Sequence, residues 1–382
     1  MPAPAKSPRL AHVPELDGIR GIAALMVLCH HLFFTSVPNP ERWNWLVLFL
    51  SRISHAGGNG VDLFFVLSGF LITSLLLLDR GNPHFYWNFY WKRALRIFPV
   101  YFIALALLLI FLPSSWKYLL LSLLFLANFA QLFHIAMAGP FWTLAIEEQF
   151  YLIWPRFAAS FSIAKLHRLA LGIVIASPIL RLIAALFGHH DFEFTFFHCD
   201  GLALGAILAC QQLRRHSADG QMPPPGPGVP TQQFLLPIAI ALIALPSLLS
   251  LRFDPESKVI FAATALQLSG ISLLAYCVIA AAVRHTGSPL LTIFRSRLLT
   301  FFGLISYCLY IANGYAVLLY DHLRGPTPIG DMRQYAIRAA TVFATSLIVC
   351  ILSRYLIELP AMSLRKHILR RPQPVPASAH RP

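Results

Sequence analysis

The amino-acid sequence predicts an all-α fold: a polytopic integral membrane helical bundle of about ten transmembrane helices. Of its 382 residues, 57% are hydrophobic and 12% are charged, and the charged share is about half that of an ordinary soluble domain. A soluble protein of this size could not cover its surface with so few charges, whereas a bilayer accepts apolar side chains on the outside of a bundle. The mean hydropathy of +0.65 agrees with that class.

Apolar runs long enough to cross a bilayer recur along the whole chain. One further region, 117–155, contains two apolar pieces, and we expect it to cross the membrane once, as one full span and one broken or re-entrant helix. The other predicted spans are 16–36, 60–78, 97–112, 169–187, 199–213, 233–250, 259–283, 298–320 and 336–357.

The net charge of +14 comes from short basic clusters between the spans. This distribution indicates contact with anionic lipid at a cytoplasmic face and no nucleic-acid partner. With the N-terminus inside, all the clusters fall in cytoplasmic loops and both termini are cytoplasmic. The expected parts are a cytoplasmic tail 1–14, a membrane-embedded domain 15–364 with a Pro-rich cytoplasmic linker 217–231, and a basic, Pro-rich tail 365–382.

The six cysteines are scattered and form no CxxC pair, so we expect free thiols and no metal site. The sequence also lacks a nucleotide-binding P-loop, a GxSxG elbow and an HExxH motif. Pumping driven by nucleotide hydrolysis is therefore excluded for this chain.

Arg20 and His31 lie in the first span, eleven residues apart in DGIRGIAALMVLCHHLFF. Eleven residues are about three helical turns, which places both side chains on one stripe roughly 16 Å apart along the axis. Ionisable groups at such depth usually face a cavity or a partner. A simple ion pair of Arg20 with Asp17, and a His31 bonded only to a neighbouring helix, are the alternatives.

Asp62 opens the second span, near the depth of His31. A carboxylate there is suited to orient the imidazole ring, as in catalytic triads. The alternative is an acidic residue that stabilises the start of a helix.

Arg93 and Arg96 are three residues apart in WKRALRIFPVY, at the beginning of another span. Two planar guanidinium groups on one helix face suit the binding of phosphate groups. Positive charge that only sets membrane orientation is the alternative.

Glu147 and Glu148 lie within the apolar sequence FWTLAIEEQFYLIWP. Carboxylates in such a setting must pair, take up a proton or face water. We interpret them as cavity-lining acids, with a structural pair to an Arg or His as the alternative.

These motifs, in this order, resemble those of acyltransferase family 3: ELDGIRGIAALMVLCHH, GVDLFFVLSGFLIT, RALR and WTLAIEEQFYLIWP. The resemblance covers the chain from about Glu15 to about Leu364. It implies an essential Arg20 and His31, and an acyl-CoA site on the cytoplasmic side at Arg93 and Arg96. Asn313 stands where the family commonly has a histidine.

The resemblance implies an O-acyltransferase of a bacterial inner membrane. We expect it to transfer an acyl group, usually acetyl, from acyl-CoA to a hydroxyl of a lipid-linked or surface polysaccharide sugar. The predicted catalytic residues are His31, Arg20, Asp62, Glu147 and Glu148, the predicted donor-binding residues are Arg93 and Arg96, and no metal is expected. Two alternatives are a proton-coupled transporter or flippase of such a glycan substrate, and a non-catalytic membrane scaffold.

Overall fold

Helices make up most of the computed structural model, which describes residues 12–35, 44–189, 192–217, 229–254, 256–325 and 331–369. Within these ranges no β-strand occurs. Most of the expected linker 217–231, of the N-terminal tail 1–14 and of the C-terminal tail 365–382 lies outside the described residues.

The long helices follow the chain in the order in which the apolar runs occur. The first, α1, continues into a π-helical turn, His31–Thr35, and a 3₁₀ segment, Ala127–Phe133, separates α5 from α6. The helices are α1 (Pro14–His30), α2 (Trp45–His55), α3 (Gly60–Leu78), α4 (Phe85–Phe111), α5 (Trp116–Leu123), α6 (Phe141–Ser160), α7 (Ile163–Leu186), α8 (Thr195–Ser217), α9 (Val229–Leu249), α10 (Lys258–Arg284), α11 (Arg297–Arg324), α12 (Met332–Ser353), α13 (Leu359–Ser363) and α14 (Arg365–Ile368).

Several helices begin at a residue whose side chain caps the first turn. In each case the side-chain oxygen accepts a hydrogen bond from the backbone amide three residues further on, which satisfies one of the unpaired amides at a helix start. Such caps typically stabilise a helix by about 0.5–2 kcal/mol. The capping residues are Asn44, Ser162, Ser257, Ser296 and Asp331.

Seven helical segments of the described chain are long and apolar enough to cross a membrane. A bent pair, Pro113–Leu123 and Ala127–Phe133, whose axes differ by 120°, makes eight if it counts as one span. The large apolar side chains on the outside, such as Ile110 at 70% exposed and Phe187 at 79%, suit contact with lipid. The prediction of an all-helical, multi-pass membrane protein is confirmed.

Each expected span overlaps one of the helices of 17 residues or more that the described chain contains. Those at 199–213 and 233–250, in α8 and α9, are not among the seven segments long and apolar enough to cross a membrane, and Gln233–Leu249 is a shorter apolar helix. In the region 117–155, the first apolar piece, 117–135, corresponds to the bent pair, and the second, 140–155, corresponds to the 20-residue α6. The helix α6 contains three charged side chains, Glu147, Glu148 and Arg156. We treat the region as a re-entrant or broken segment followed by a full helix.

The helices α1 and α11 pack closely against each other. Gly21 of α1 and Gly303 of α11 lie against each other's helix, where an added Cβ would collide with the carbonyl oxygens of Leu299 and Asp17. Small residues let helix backbones approach in membranes. The approach of the two helices brings the end of α1 beside Asn313 in the middle of α11.

Candidate functional site

Four of the predicted site residues line one cavity, which we call the arginine cavity. Arg20 comes from α1, Arg93 and Arg96 from α4, and Glu147 from α6. The cavity encloses about 750 Å³ between protein atoms, including its open mouth. The other polar residues of its wall are Ser68, Thr143, Tyr151, Ser306, Tyr307 and Tyr310.

The two cationic elements of the arginine cavity follow from helix geometry. Arg93 and Arg96 are three residues apart on α4, so they share one face. Arg20 lies one turn after Asp17, and its Nη1 is 3.4 Å from Asp17 Oδ1. The local ion pair considered for Arg20 is therefore present, and the same guanidinium group also faces the cavity.

Glu147 is held by neighbours on two helices. Ser68 Oγ, from α3, donates to Glu147 Oε1 at 2.5 Å and lies 2.8 Å from the hydroxyl of Tyr151. Tyr151 is one helical turn after Glu147 on α6, and the Arg93 guanidinium lies 4.9 Å from the centre of its ring. This arrangement fixes the carboxylate and one arginine on the same wall of the cavity.

The charges in the arginine cavity do not balance. Three guanidinium groups face it; Arg20 is paired with Asp17 outside the wall, and Glu147 is the acidic residue in the described wall, beside Arg93 and Arg96. Glu148, the neighbouring residue, points about 100° away around the helix and interacts electrostatically with Tyr101 and Tyr307. The excess of fixed positive charge suits an anion with several charges, such as a phosphorylated ligand.

His31 lies at the end of α1, and its Nδ1 is hydrogen-bonded to Oδ1 of Asn313. The Asn313 amide nitrogen donates to the carbonyl oxygens of Leu309, at 2.7 Å, and Tyr310, at 2.9 Å. Because the amide nitrogen is used in this way, the atom that faces His31 is an acceptor. Nδ1 therefore carries a proton, and Nε2 is the basic nitrogen of the neutral ring.

A second cavity, the histidine groove, contains His31. Its wall is otherwise mainly apolar, and it combines residues of α1, α4 and α11 with the turn before α6. The Tyr315 hydroxyl of this wall donates to the carbonyl oxygen of Ala104 at 2.7 Å, so His31 is the basic side chain of the groove. An imidazole in an apolar groove is a suitable place for proton transfer or nucleophilic attack. The lining residues besides His31 are Leu108, Gly139, Pro140, Gly314, Tyr315, Val317 and Leu318.

Two hydroxyl groups separate the arginine cavity from the histidine groove. Thr143 Oγ1 donates to the carbonyl oxygen of Pro140 at 2.9 Å and lies 2.6 Å from the Tyr310 hydroxyl. Since the Thr143 proton is already used, Tyr310 is the donor to Thr143. Thr143 and Tyr310 line the arginine cavity and Pro140 lines the groove, so Arg20 and His31 face two adjoining spaces.

Asp62 lies in a different polar cluster. It is buried and accepts a hydrogen bond from Ser272 Oγ at 3.3 Å. The neighbouring ion pair joins Arg181, 1% exposed, to Asp200 at 2.5 Å. The sequence suggested that Asp62 orients the His31 ring. The structure instead shows a hydrogen bond from that ring to the Asn313 amide.

Sequence reasoning did not single out several residues that the structure places at these sites. Tyr151 had a detectable signal, since it follows Glu147 at a spacing of four on the same helix face. Arg181 also had one, because it is an isolated charge within an apolar run. Ser68, Thr143 and Tyr310 are polar residues common in such helices and gave no local signal.

Within the described ranges, no group of three or more His, Cys, Asp or Glu side chains is placed to hold a metal ion. None of the six cysteines forms a disulfide, and four of them are buried.

Comparison with known proteins decides the family. Residues 13–355 match the family model described as an acyltransferase domain, type 3. The chain belongs to the acyltransferase 3 family. Members of this family are named for acyl transfer, and the match includes Arg20, His31, Arg93, Arg96 and both glutamates of α6.

Curated relatives in the acyltransferase 3 family carry O-acetyltransferase names. The chain is 33% identical over 193 residues to the peptidoglycan O-acetyltransferase OatA of Listeria monocytogenes, covering 45% of this chain and 28% of that protein. It is 34% identical over 194 residues to the Bacillus subtilis protein named "Putative peptidoglycan O-acetyltransferase YrhL", covering 44% of this chain and 27% of that one. The chain thus aligns with less than a third of either relative. No solved structure matches it.

Proposed function

We propose that the protein is a membrane O-acetyltransferase that moves an acetyl group from acetyl-CoA to a sugar hydroxyl. The observation that carries the proposal is the arginine cavity beside the histidine groove, in a chain of the acyltransferase 3 family. An anion site next to a basic imidazole suits a donor that has phosphates at one end and a reactive thioester at the other.

In this proposal the donor phosphates bind Arg93 and Arg96. Two forked guanidinium groups on one helix face can each form paired hydrogen bonds to phosphate oxygens. The acyl-bearing arm then lies along the cavity, past Arg20, toward Thr143 and Tyr310. Arg20 lines this route and offers positive charge to the thioester oxygen as negative charge develops on it.

His31 performs the transfer, either as a general base or as an acyl carrier. As a base, Nε2 takes the proton of the acceptor hydroxyl, whose oxygen attacks the thioester carbonyl. The carbon–sulfur bond breaks, and the departing thiolate receives that proton to give free CoA. As a carrier, Nε2 itself attacks the carbonyl and the carbon–sulfur bond breaks, which releases the CoA thiolate. The acceptor oxygen then attacks the acyl carbon, the carbon–nitrogen bond to Nε2 breaks, and the hydroxyl proton passes to the thiolate. Asn313 keeps Nε2 as the basic nitrogen in both routes.

The acidic residues support this site in the proposal. Glu147 balances part of the arginine charge and holds Ser68 and Tyr151 in place. Glu148 and Asp62 act on it from a greater distance, through the electrostatic field and through packing of α3. No metal takes part in the proposed reaction.

The acceptor in this proposal is a lipid-linked or surface polysaccharide sugar, and the protein resides in a bacterial inner membrane. The relatives' names, which specify peptidoglycan O-acetylation, support a glycan acceptor. The arginine cavity opens to the cytoplasm and both termini are cytoplasmic, because the basic clusters then lie in cytoplasmic loops.

The experiment that tests the proposal uses the purified protein in vesicles sorted by orientation. Acetyl-CoA labelled in the acetyl group is added outside, and release of the CoA thiol is measured together with label on lipid-linked glycan. We expect both only in vesicles whose exposed face is the cytoplasmic one. The matched control is an equal set of vesicles in the opposite orientation.

The same experiment distinguishes the two alternative functions. Glycan movement that needs no acetyl-CoA and follows a proton gradient would favour a transporter or flippase over an acetyltransferase. The absence of both activities, in protein that is folded and inserted, would favour a scaffold.

A further inference from the structure

The C-terminal helices α13 and α14 pack against the first half of α4, the helix that carries Arg93 and Arg96. Trp87 Nε1, near the start of α4, donates to the carbonyl oxygen of Ile368 at 3.0 Å. The end of the described chain is therefore attached to the helix that supplies the two arginines of the cavity.

Arg365 is the side chain that this packing brings to α4. Its Nη2 approaches the carbonyl oxygen of Lys92 at 3.5 Å. Within α4 that carbonyl is one turn before Arg96, and Arg365 is close enough to Arg96 for the two charges to repel. Arg365 Nε is buried and has no hydrogen-bond partner. The Arg365 side chain is half-buried, and its Nε is a donor that an anion held between Arg365 and Arg96 would pair.

Positively charged residues outnumber acidic ones where Arg365 meets α4. Lys92, Arg93 and Arg96 are on α4, and Lys366 is the next residue. Glu358, the acidic residue closest to Arg96 along this segment, is already paired with Arg354 at 3.2 Å. The positive charge thus continues from the arginine cavity past Arg96 to the C-terminal helices.

We propose that Arg365 forms, with Arg96, a second phosphate subsite, which binds the ribose 3′-phosphate of a CoA-type donor. This inference rests on the proposed function. In acyl-CoA the acyl arm, the pyrophosphate and the 3′-phosphate follow one another along the molecule. The protein presents its groups in the same order: the interior of the cavity, then Arg93 and Arg96, then Arg365.

The test measures equilibrium binding to the full chain in lipid nanodiscs. CoA and CoA that lacks the 3′-phosphate compete with labelled acetyl-CoA. A charge-assisted hydrogen bond to phosphate predicts that wild-type protein binds CoA about tenfold or more tightly than the dephosphorylated form. Arg365→Gln is expected to bring the ratio of the two affinities close to one by weakening CoA alone.

Lys366→Gln is the matched control, because it removes one exposed positive charge from the adjacent residue. It should keep the wild-type ratio. Unchanged affinity of Arg365→Gln for the dephosphorylated ligand reports that the variant is folded. Three results would overturn the subsite. They are a ratio of affinities near one in wild-type protein, an unchanged ratio in Arg365→Gln, and an equal loss of affinity for both ligands in Arg365→Gln. If neither ligand binds wild-type protein, the CoA donor itself is wrong, and the subsite falls with it.

Discussion

His31→Ala is expected to reduce acyl transfer by about 10²–10⁴-fold, the usual contribution of a general base, with insertion and thermal stability near wild type. The reason is that His31 is the basic side chain in the described wall of the histidine groove, and Asn313 holds its ring with Nε2 as the basic nitrogen. Donor binding should change little, since the arginines of the cavity are untouched. Transfer to acceptor, donor affinity and protein level are measured together.

His30→Ala is the matched control, since it removes the same side chain from the adjacent position. The His30 ring meets the edge of the His31 ring, with 5.7 Å between the ring centres, but its bonding differs: its Nδ1 is 3.1 Å from the carbonyl oxygen of Ser54, and His30 does not line the histidine groove. We expect a far smaller loss of activity. Asn313→Leu, which removes the acceptor for Nδ1, should fall between the two. An essential His30 together with a dispensable His31 would mean that the reaction takes place on another face of α1.

Replacing both Arg93 and Arg96 by alanine is expected to raise the apparent KM for acetyl-CoA by roughly 10²–10⁴-fold. Each charge-assisted hydrogen bond contributes about 1.5–3 kcal/mol, and each 1.4 kcal/mol corresponds to about tenfold in affinity. The rate at saturating donor should fall much less than in His31→Ala. Lysine at both positions should restore binding only in part, because the planar fork is lost.

The control for the arginine pair is a second double variant, Arg156→Ala with Arg168→Ala. Both residues are exposed, lie outside the wall of the arginine cavity, and belong to another predicted cytoplasmic cluster. The control removes the same charge and tests its effect on membrane insertion. If the cavity variant inserts normally and keeps wild-type donor affinity, Arg93 and Arg96 serve only to orient the protein in the membrane.

The helical class and the approximate spans could be predicted because they depend on local properties. Apolar runs of sufficient length form helices in a membrane wherever they occur, since backbone groups must pair within the segment. The sequence singled out Arg20, Arg93, Arg96 and Glu147 separately by their chemical types. That they line one cavity depends on helix packing and was not predicted. Glu147 and Glu148 point about 100° apart, and the structure places Glu147 in the wall of the arginine cavity, a choice that the sequence did not indicate.

Contacts between distant parts of the chain were beyond sequence reasoning. The stripe shared by Arg20 and His31 is a property of one helix, but the Thr143–Tyr310 wall that separates their two cavities comes from α6 and α11. Asn313 was noticed as a departure from the family's common histidine. Its bond to His31 spans 282 residues of sequence and depends on the close packing of α1 and α11.

The most direct test of the central claim is mass spectrometry of surface and lipid-linked glycans from matched cells. One culture produces wild-type protein, one produces His31→Ala at the same level, and one lacks the protein. An acetyltransferase that works through His31 predicts an acetyl mass increment on a glycan sugar in the first culture only. Identical glycan masses in the first and third cultures, or an undiminished increment with His31→Ala, would contradict it.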